Sequence, residues 1–202
     1  MNTRNGEAVS PVIGVMLMLV VTIIIAAVVS AFAGGSLGSQ TKTPQATIKG
    51  VFSQSNGMQI IHTGGDAIPA STLMFTMTSD ATFGQGLSST TTQIIDKTLI
   101  TDLNGNALQK TDGTSDITAF GPGQTLYISP TNVDCFILQP QVVPRDVRSI
   151  SNNGIWSYTG AKMDLWKQCY TNPASVVKTF TLSMSDKTSG ATIAKTTVVI
   201  TP

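Results

Sequence analysis

From Val9 to Ala33 the chain reads VSPVIGVMLMLVVTIIIAAVVSAFA, without one charged side chain, and the next charge along it is Lys42. A stretch of this kind exceeds the roughly 18 apolar residues that mark a membrane-spanning helix, and at about 1.5 Å per residue it reaches roughly 37 Å. Most of the residues between Val12 and Phe32 are Val, Ile, Leu or Phe. At about 0.3 to 0.6 kcal/mol each, they favour insertion into a bilayer by roughly 4 to 8 kcal/mol. No second stretch like it occurs, so one long hydrophobic N-terminal α-helix, crossing a membrane once, is the first constraint on everything downstream.

Local chemistry sets the ends of that helix. Ser10 is suited to accept hydrogen bonds from the first free amides, and Pro11 suits the first helical position, where its missing N–H costs nothing. The helix is predicted to start at Pro11 and to stop at Gly34 and Gly35, before a polar Gly/Ser/Thr linker over Ser36 to Pro44. The β-branched run from Thr22 to Ile25 is a mediocre helix former in water. In lipid the backbone must satisfy its own hydrogen bonds, and a single segment does so only as a helix.

Three roles fit such a segment. Ala31-Phe32-Ala33 matches a small-x-small cleavage pattern, but a removable secretory signal carries an apolar region of about 7–15 residues, shorter than this one. A plain signal anchor is the second role. The third depends on the residues just upstream, Glu7-Ala8.

The string AVSPVIGVMLMLVVTIIIAAVV from Ala8 to Val29 resembles the amino terminus of archaeal type IV pilins. The resemblance implies a leader, Met1 to Ala8, removed by a prepilin peptidase that cuts between Ala8 and Val9. A small residue leaves room at the scissile carbonyl, and the retained helix over residues 9–35 serves as anchor and filament core. It further implies a pilus assembly ATPase with its membrane platform as partners, and copies of the chain itself, joined in a helical homopolymer. Bacterial pilins carry a Glu as the fifth residue of the mature chain. Ile13 stands there in this sequence, so no role of that carboxylate carries over.

The rest of the chain, residues 45–202, has the length of one ordinary domain with a core of its own. Charged residues make up 11% of the 202, and the formal net charge is +1. There is no basic field for nucleic acid and no acidic tail.

Past the linker, strand patterns dominate. Thr47 to Phe52 and Met58 to His62 flank a hairpin-like Ser53–Gly57 connection. Gly64-Gly65-Asp66 breaks the chain before Leu73 to Thr78, where Leu73, Phe75 and Met77 share one face. Thr98 to Thr101 and Ala107 to Lys110 flank an Asn104-Gly105 turn signal and read as a second hairpin. Thr125 to Ser129, Cys135 to Leu138, Phe180 to Ser185 and Thr192 to Thr201 complete the strands, with a turn over Asp186 to Gly190. Frequent short strands divided by turns argue an all-β head domain, an immunoglobulin-like β-sandwich. His62-Thr63-Gly64-Gly65-Asp66 and Phe120-Gly121-Pro122-Gly123-Gln124 resemble recurring features of archaeal pilin heads. The stretch Val142 to Pro173, with Trp156, Trp166 and Tyr170, fits no pattern and reads as a long loop or insertion, with Met163 to Gln168 as a candidate helical turn.

Cys135 and Cys169 lie 34 positions apart on what the resemblance makes an extracellular, oxidising side, which favours a disulfide. Two independent buried thiols are the alternative, because spacing alone says nothing of geometry. Two cysteines and one histidine do not make a four-ligand metal site. His62, at a strand end beside glycines, suits a structural role better than that of a general base. Asp102-x-Asn104-x-Asn106 begins like a calcium loop, but Ala107 stands where Gly is needed and Gly113 where Glu is needed. Asp112 and Asp116 read as solvated carboxylates. No phosphate-binding loop, nucleophile elbow or Asn-x-Ser/Thr acceptor occurs, and Ser88 to Thr92 is a candidate surface for O-linked sugars.

These readings point to a structural subunit without catalytic centre or cofactor. It is expected to be membrane-anchored before assembly and to form a cell-surface, extracellular filament that serves adhesion. The runner-up is a membrane-anchored β-domain binding a ligand or surface-layer partner, or a minor pilin. An anchored hydrolase lacks a nucleophile pair.

Overall fold

A computed structural model describes residues 11–36, 44–85, 91–142, 149–150, 156–157 and 166–202. The chain divides into two units, one ending at Lys42 and one starting at Thr43, which are taken separately.

The first unit holds helix α1, Pro11–Ser36. It begins at the predicted proline and runs through Gly34 and Gly35, the residues predicted to end it. A helical glycine costs about 1 kcal/mol relative to Ala, which a helix of this length tolerates in its last turn.

In the second unit the described elements are, in chain order, β1 (Ala46–Ser53), β2 (Gly57–Gly65), β3 (Ile68–Pro69), β4 (Leu73–Ser79), β5 (Gln93–Ile94), β6 (Ile100–Thr101), β7 (Ala119–Phe120), β8 (Thr125–Ile128), α2 (Cys135–Leu138), β9 (Ser149–Ile150), β10 (Trp156–Ser157), β11 (Thr179–Asp186) and β12 (Thr192–Thr201). Eight of them form one sheet in the order β5-β4-β11-β12-β1-β2-β8-β6, while β3 pairs with β7 and β9 with β10. Within the large sheet the neighbours are antiparallel except β1 and β12, which run parallel and meet only at Phe52–Ile200 and Ser53–Thr201. So narrow a seam lets the two four-stranded halves of this one sheet curl toward each other. Inward residues of both halves, among them Phe52, Ile60, Phe75, Met77, Leu126, Phe180, Leu182 and Val198, join one buried apolar cluster. Gly50 shows how closely β1 is covered, because a Cβ there would run into Val198 Cγ2 and crowd Leu182 Cδ2.

The all-β head and the long apolar helix are as the sequence pattern predicts, and alternation locates the buried faces of β4 and β11. Three local expectations need correction. Cys135–Leu138 is a helical turn rather than a strand, because the Asp134 carboxylate accepts the Phe136 N–H at 2.8 Å and the Asp134 carbonyl accepts those of Ile137 and Leu138. The hairpin over 98–110 shrinks to β6 and one bridge from Thr101 to Ala107, since Asp96 caps a 3-10 turn over Lys97–Leu99. Strand β2 runs past His62 through Gly65 around a bulge, so the break expected over Gly64-Gly65-Asp66 falls at Asp66. Of the candidate sugar cluster, Thr91 is buried and Thr92 Oγ1 lies 3.0 Å from Thr78 Oγ1; residues 88–90 lie outside the described residues.

Candidate functional site

Helix α1 carries the chain's most distinctive surface. Val12 to Phe32 spans about 31 Å at ~1.5 Å per residue, close to the roughly 30 Å hydrocarbon core of a bilayer. The large apolar side chains from Val12 to Phe32, Ile13 among them, are exposed. A helix apolar all round has no solvent face and leaves water only in lipid or among other apolar helices. Thr22 keeps the pattern intact because its hydroxyl donates to the Leu19 carbonyl at 2.9 Å, leaving no unmet donor there. The first turn holds no acid and the last turn no base. The expected cleavage point, Ala8 and Val9, and the capping Ser10 lie outside the described residues.

The head's entry point is built from two short motifs, His62 to Asp66 and Phe120 to Gln124, which the sequence separates and the fold joins. His62 N–H donates to the Gln124 carbonyl at 2.9 Å, and Gly123 N–H returns a bond to the His62 carbonyl at 2.8 Å. The His62 ring is buried, meets Phe120 edge-on at 5.1 Å, and places Nε2 3.0 Å from the Asp66 carbonyl. Asp66 exchanges two bonds with Gln45, its Oδ2 accepting the Gln45 N–H at 3.0 Å and its own N–H donating to the Gln45 carbonyl at 2.7 Å. Thr63 is the extra residue of the bulge, and its hydroxyl donates to the Thr47 carbonyl. Gly65, at φ +104°, has no room for a Cβ against Gln45 and Ala46. These residues fix where the chain enters the head.

Residues 7–48 match the family model described as archaeal type IV pilin, N-terminal. That stretch is similar to the amino terminus of archaeal type IV pilins. The pilin match begins at Glu7, takes in all of α1 and ends at Ile48 in β1, so it reaches the first residues of the head. No curated protein matches the chain.

Within the head, Cys135 and Cys169 form a disulfide with Cα atoms 5.6 Å apart, packed with Val142, Phe136 and Trp166. Gln139 braces it from within: Oε1 accepts the Tyr170 N–H at 2.7 Å and Nε2 donates to the Gln168 carbonyl at 3.2 Å. Ser175 Oγ donates to the Cys169 carbonyl at 2.8 Å. The bridge delivers Tyr170 into the main core, where Phe52, Phe83 and Phe180 surround its ring. Burial pushes the Tyr170 hydroxyl pKa well up, against a smaller opposing effect from its contact with Ser79. Sequence reasoning missed this residue, since nothing periodic surrounds it. Of the candidate helical turn at Met163 to Gln168, residues 163–165 lie outside the described residues; from Trp166 onward the chain turns through a bond from the Cys169 N–H to the Trp166 carbonyl.

The remaining candidates resolve into turns. Asp102 Oδ1 accepts the N–H groups of Asn104 and Asn106, and Oδ2 accepts the Asn106 amide, which leads the effects that hold its carboxyl below the usual range. Thr114 does the same for Asp112. Asp116 pairs with Lys110 at 2.6 Å, an exposed pair that contributes little. Among the described residues no group of three or more His, Cys, Asp or Glu is placed to hold a metal ion.

Proposed function

We propose that this chain is a structural subunit of an archaeal type IV pilus-like surface filament, cut between Ala8 and Val9 by a prepilin peptidase and polymerised through its helix. The observation that carries the reading is α1 itself, uncharged and apolar on every side, within the segment matching the pilin family model. In a membrane such a helix is solvated by lipid; in a filament it is solvated by copies of itself, so extraction exchanges one apolar surrounding for another. The work of extraction falls to an assembly ATPase and its membrane platform. The heads then form the filament's outer surface, available for adhesion. Electron microscopy of sheared cells with mass spectrometry of the sheared fraction tests this: filaments composed of this chain are expected. Sheared fractions without it would point to a membrane-anchored monomer.

A further inference from the structure

A cleft of about 360 Å³ opens on the head between the Asp102–Asn106 loop and the approach to β8, with Asp102, Leu103, Asn104, Gln124, Leu126 and Tyr127 among its lining. The loop is built to stay as it is. Asp102 N–H donates to the Asn106 carbonyl at 2.9 Å and Gly105 N–H to the Asp102 carbonyl at 3.1 Å, while the Asp102 carboxylate takes further donors from inside the loop. At the tip Leu103 is held 80% exposed, an apolar side chain in water at the mouth of a cleft.

Two polar groups around it are spare. Gln124 Oε1 accepts the Gly121 N–H at 2.8 Å, which fixes the amide and leaves Nε2 over, and among the described residues the Tyr127 hydroxyl makes no hydrogen bond, whereas the Asn104 side chain turns back to the Asp102 carboxylate. The Asp102 carboxylate is taken up inside its own loop, by the Asn104 and Asn106 N–H groups and by both their side chains. The lining therefore alternates hydroxyl-binding groups with a leucine and an aromatic ring. That alternation rejects most ligand classes. No Lys or Arg lines the cleft to neutralise a phosphate or carboxylate, and ionised Asp102 repels one. One carboxylate with amides makes a poor cation site, and a lipid tail would strand polar groups without partners. A pyranose ring carries the complementary pattern, with hydroxyls around its rim and C–H patches on its faces. The volume falls in the range of small-ligand pockets, and a rigid loop spares the ordering cost of binding.

We infer that this cleft binds a neutral saccharide of one or two rings. The inference supplies a ligand class for the adhesive role proposed above and rests on that reading only for its purpose. It is tested by saturation-transfer NMR on the full chain in a non-glycosidic detergent, with methyl glycosides of glucose, galactose and mannose, N-acetylglucosamine, maltose and lactose as probes. Saturation of ring protons is expected for at least one probe. Tyr127→Phe removes only a hydroxyl that bonds nothing among the described residues, so the fold is kept, and it should weaken binding about fivefold. Tyr127→Ala should abolish the transfer, with a retained thermal transition showing that the head is folded. No transfer from any probe, or transfer that neither variant reduces, overturns the inference. If Leu103→Asp disrupts filaments while no probe binds, the cleft is a contact between heads, which overturns it too. Filaments without sugar binding leave the proposed function standing, and sugar binding by a chain that forms no filament does the reverse.

Discussion

The rings of Tyr170 and Phe180 lie nearly parallel, 13° apart in plane with centroids 4.4 Å apart, and so join a segment without regular structure to the central strand β11. Phe52 of β1 meets both rings edge-on, at 6.0 and 5.7 Å. Residue 170 follows directly on Cys169, so the disulfide and the aromatic cluster act as one fastening for residues 166–175.

Removing the bridge should therefore cost more than a loose surface disulfide would. Cys135→Ser with Cys169→Ser is expected to lower head stability by roughly 3 to 4 kcal/mol, the chain-entropy value for a loop of this length. Denaturant unfolding with and without reductant measures it. Unchanged midpoints would show that Tyr170 holds the segment alone. Peptide mapping without reductant should find the two cysteines linked within one chain.

Burial of the Tyr170 hydroxyl sets an alkaline limit on the head. Its pKa is raised in the folded state, so the stability tied to the neutral phenol is fully present below the unfolded value of about 10 and is lost as pH rises above it, by up to about 1.4 kcal/mol per pH unit. Tyr170→Phe removes the ionisable group and should flatten the decline above pH 10. An identical decline in the variant would assign it to other groups.

At the head's entry, Phe120→Ala strips the ring that packs against both His62 and Phe75. A loss of about 3 to 5 kcal/mol is expected, as for other large aromatic truncations in cores. Gly65→Ala should also destabilise, through its positive φ and its contact with Gln45. Thermal melts of both variants test whether this junction belongs to the cooperative core; a Phe120→Ala melt like that of the parent would place it outside.

Processing makes a prediction about two residues. The mature surface protein should start at Val9 by intact mass, and Ala8→Phe should leave the precursor uncut because a bulky side chain does not fit beside the scissile bond. A start at Gly34 would instead mark an ordinary secreted protein.

Polymerisation is predicted to reside in α1. Ile24→Asp should cost about 3 kcal/mol on insertion and stop filament formation while leaving the head's melt unchanged. A chain beginning at Gln45 should be a soluble monomer with a β-type circular dichroism spectrum. Filaments from either variant would mean that head contacts hold the assembly.

Helix α1 is legible from sequence because its determinant is local: an uninterrupted run of apolar side chains admits few solutions, and Pro11 marks its start. The same holds for β4 and β11, whose period-two alternation states which face is buried. Turn chemistry is nearly as local, as Asp186 shows by accepting the N–H groups of Thr188 and Ser189. Contacts made across long sequence distances were decided only by the tertiary structure. Nothing near His62 announces that Phe120 and Gln124 will enclose it, and nothing around Tyr170 announces a place at the centre of the core. The short strand pattern at Cys135–Leu138 gave way to a helical turn because the adjacent Asp134 caps it and the bridge to Cys169 anchors it, the second an influence that no window of neighbouring residues contains. Side-chain alternation records that a face is buried, whereas the partner that buries it is chosen by packing density and by how far the seam at Phe52–Ile200 lets the sheet curl.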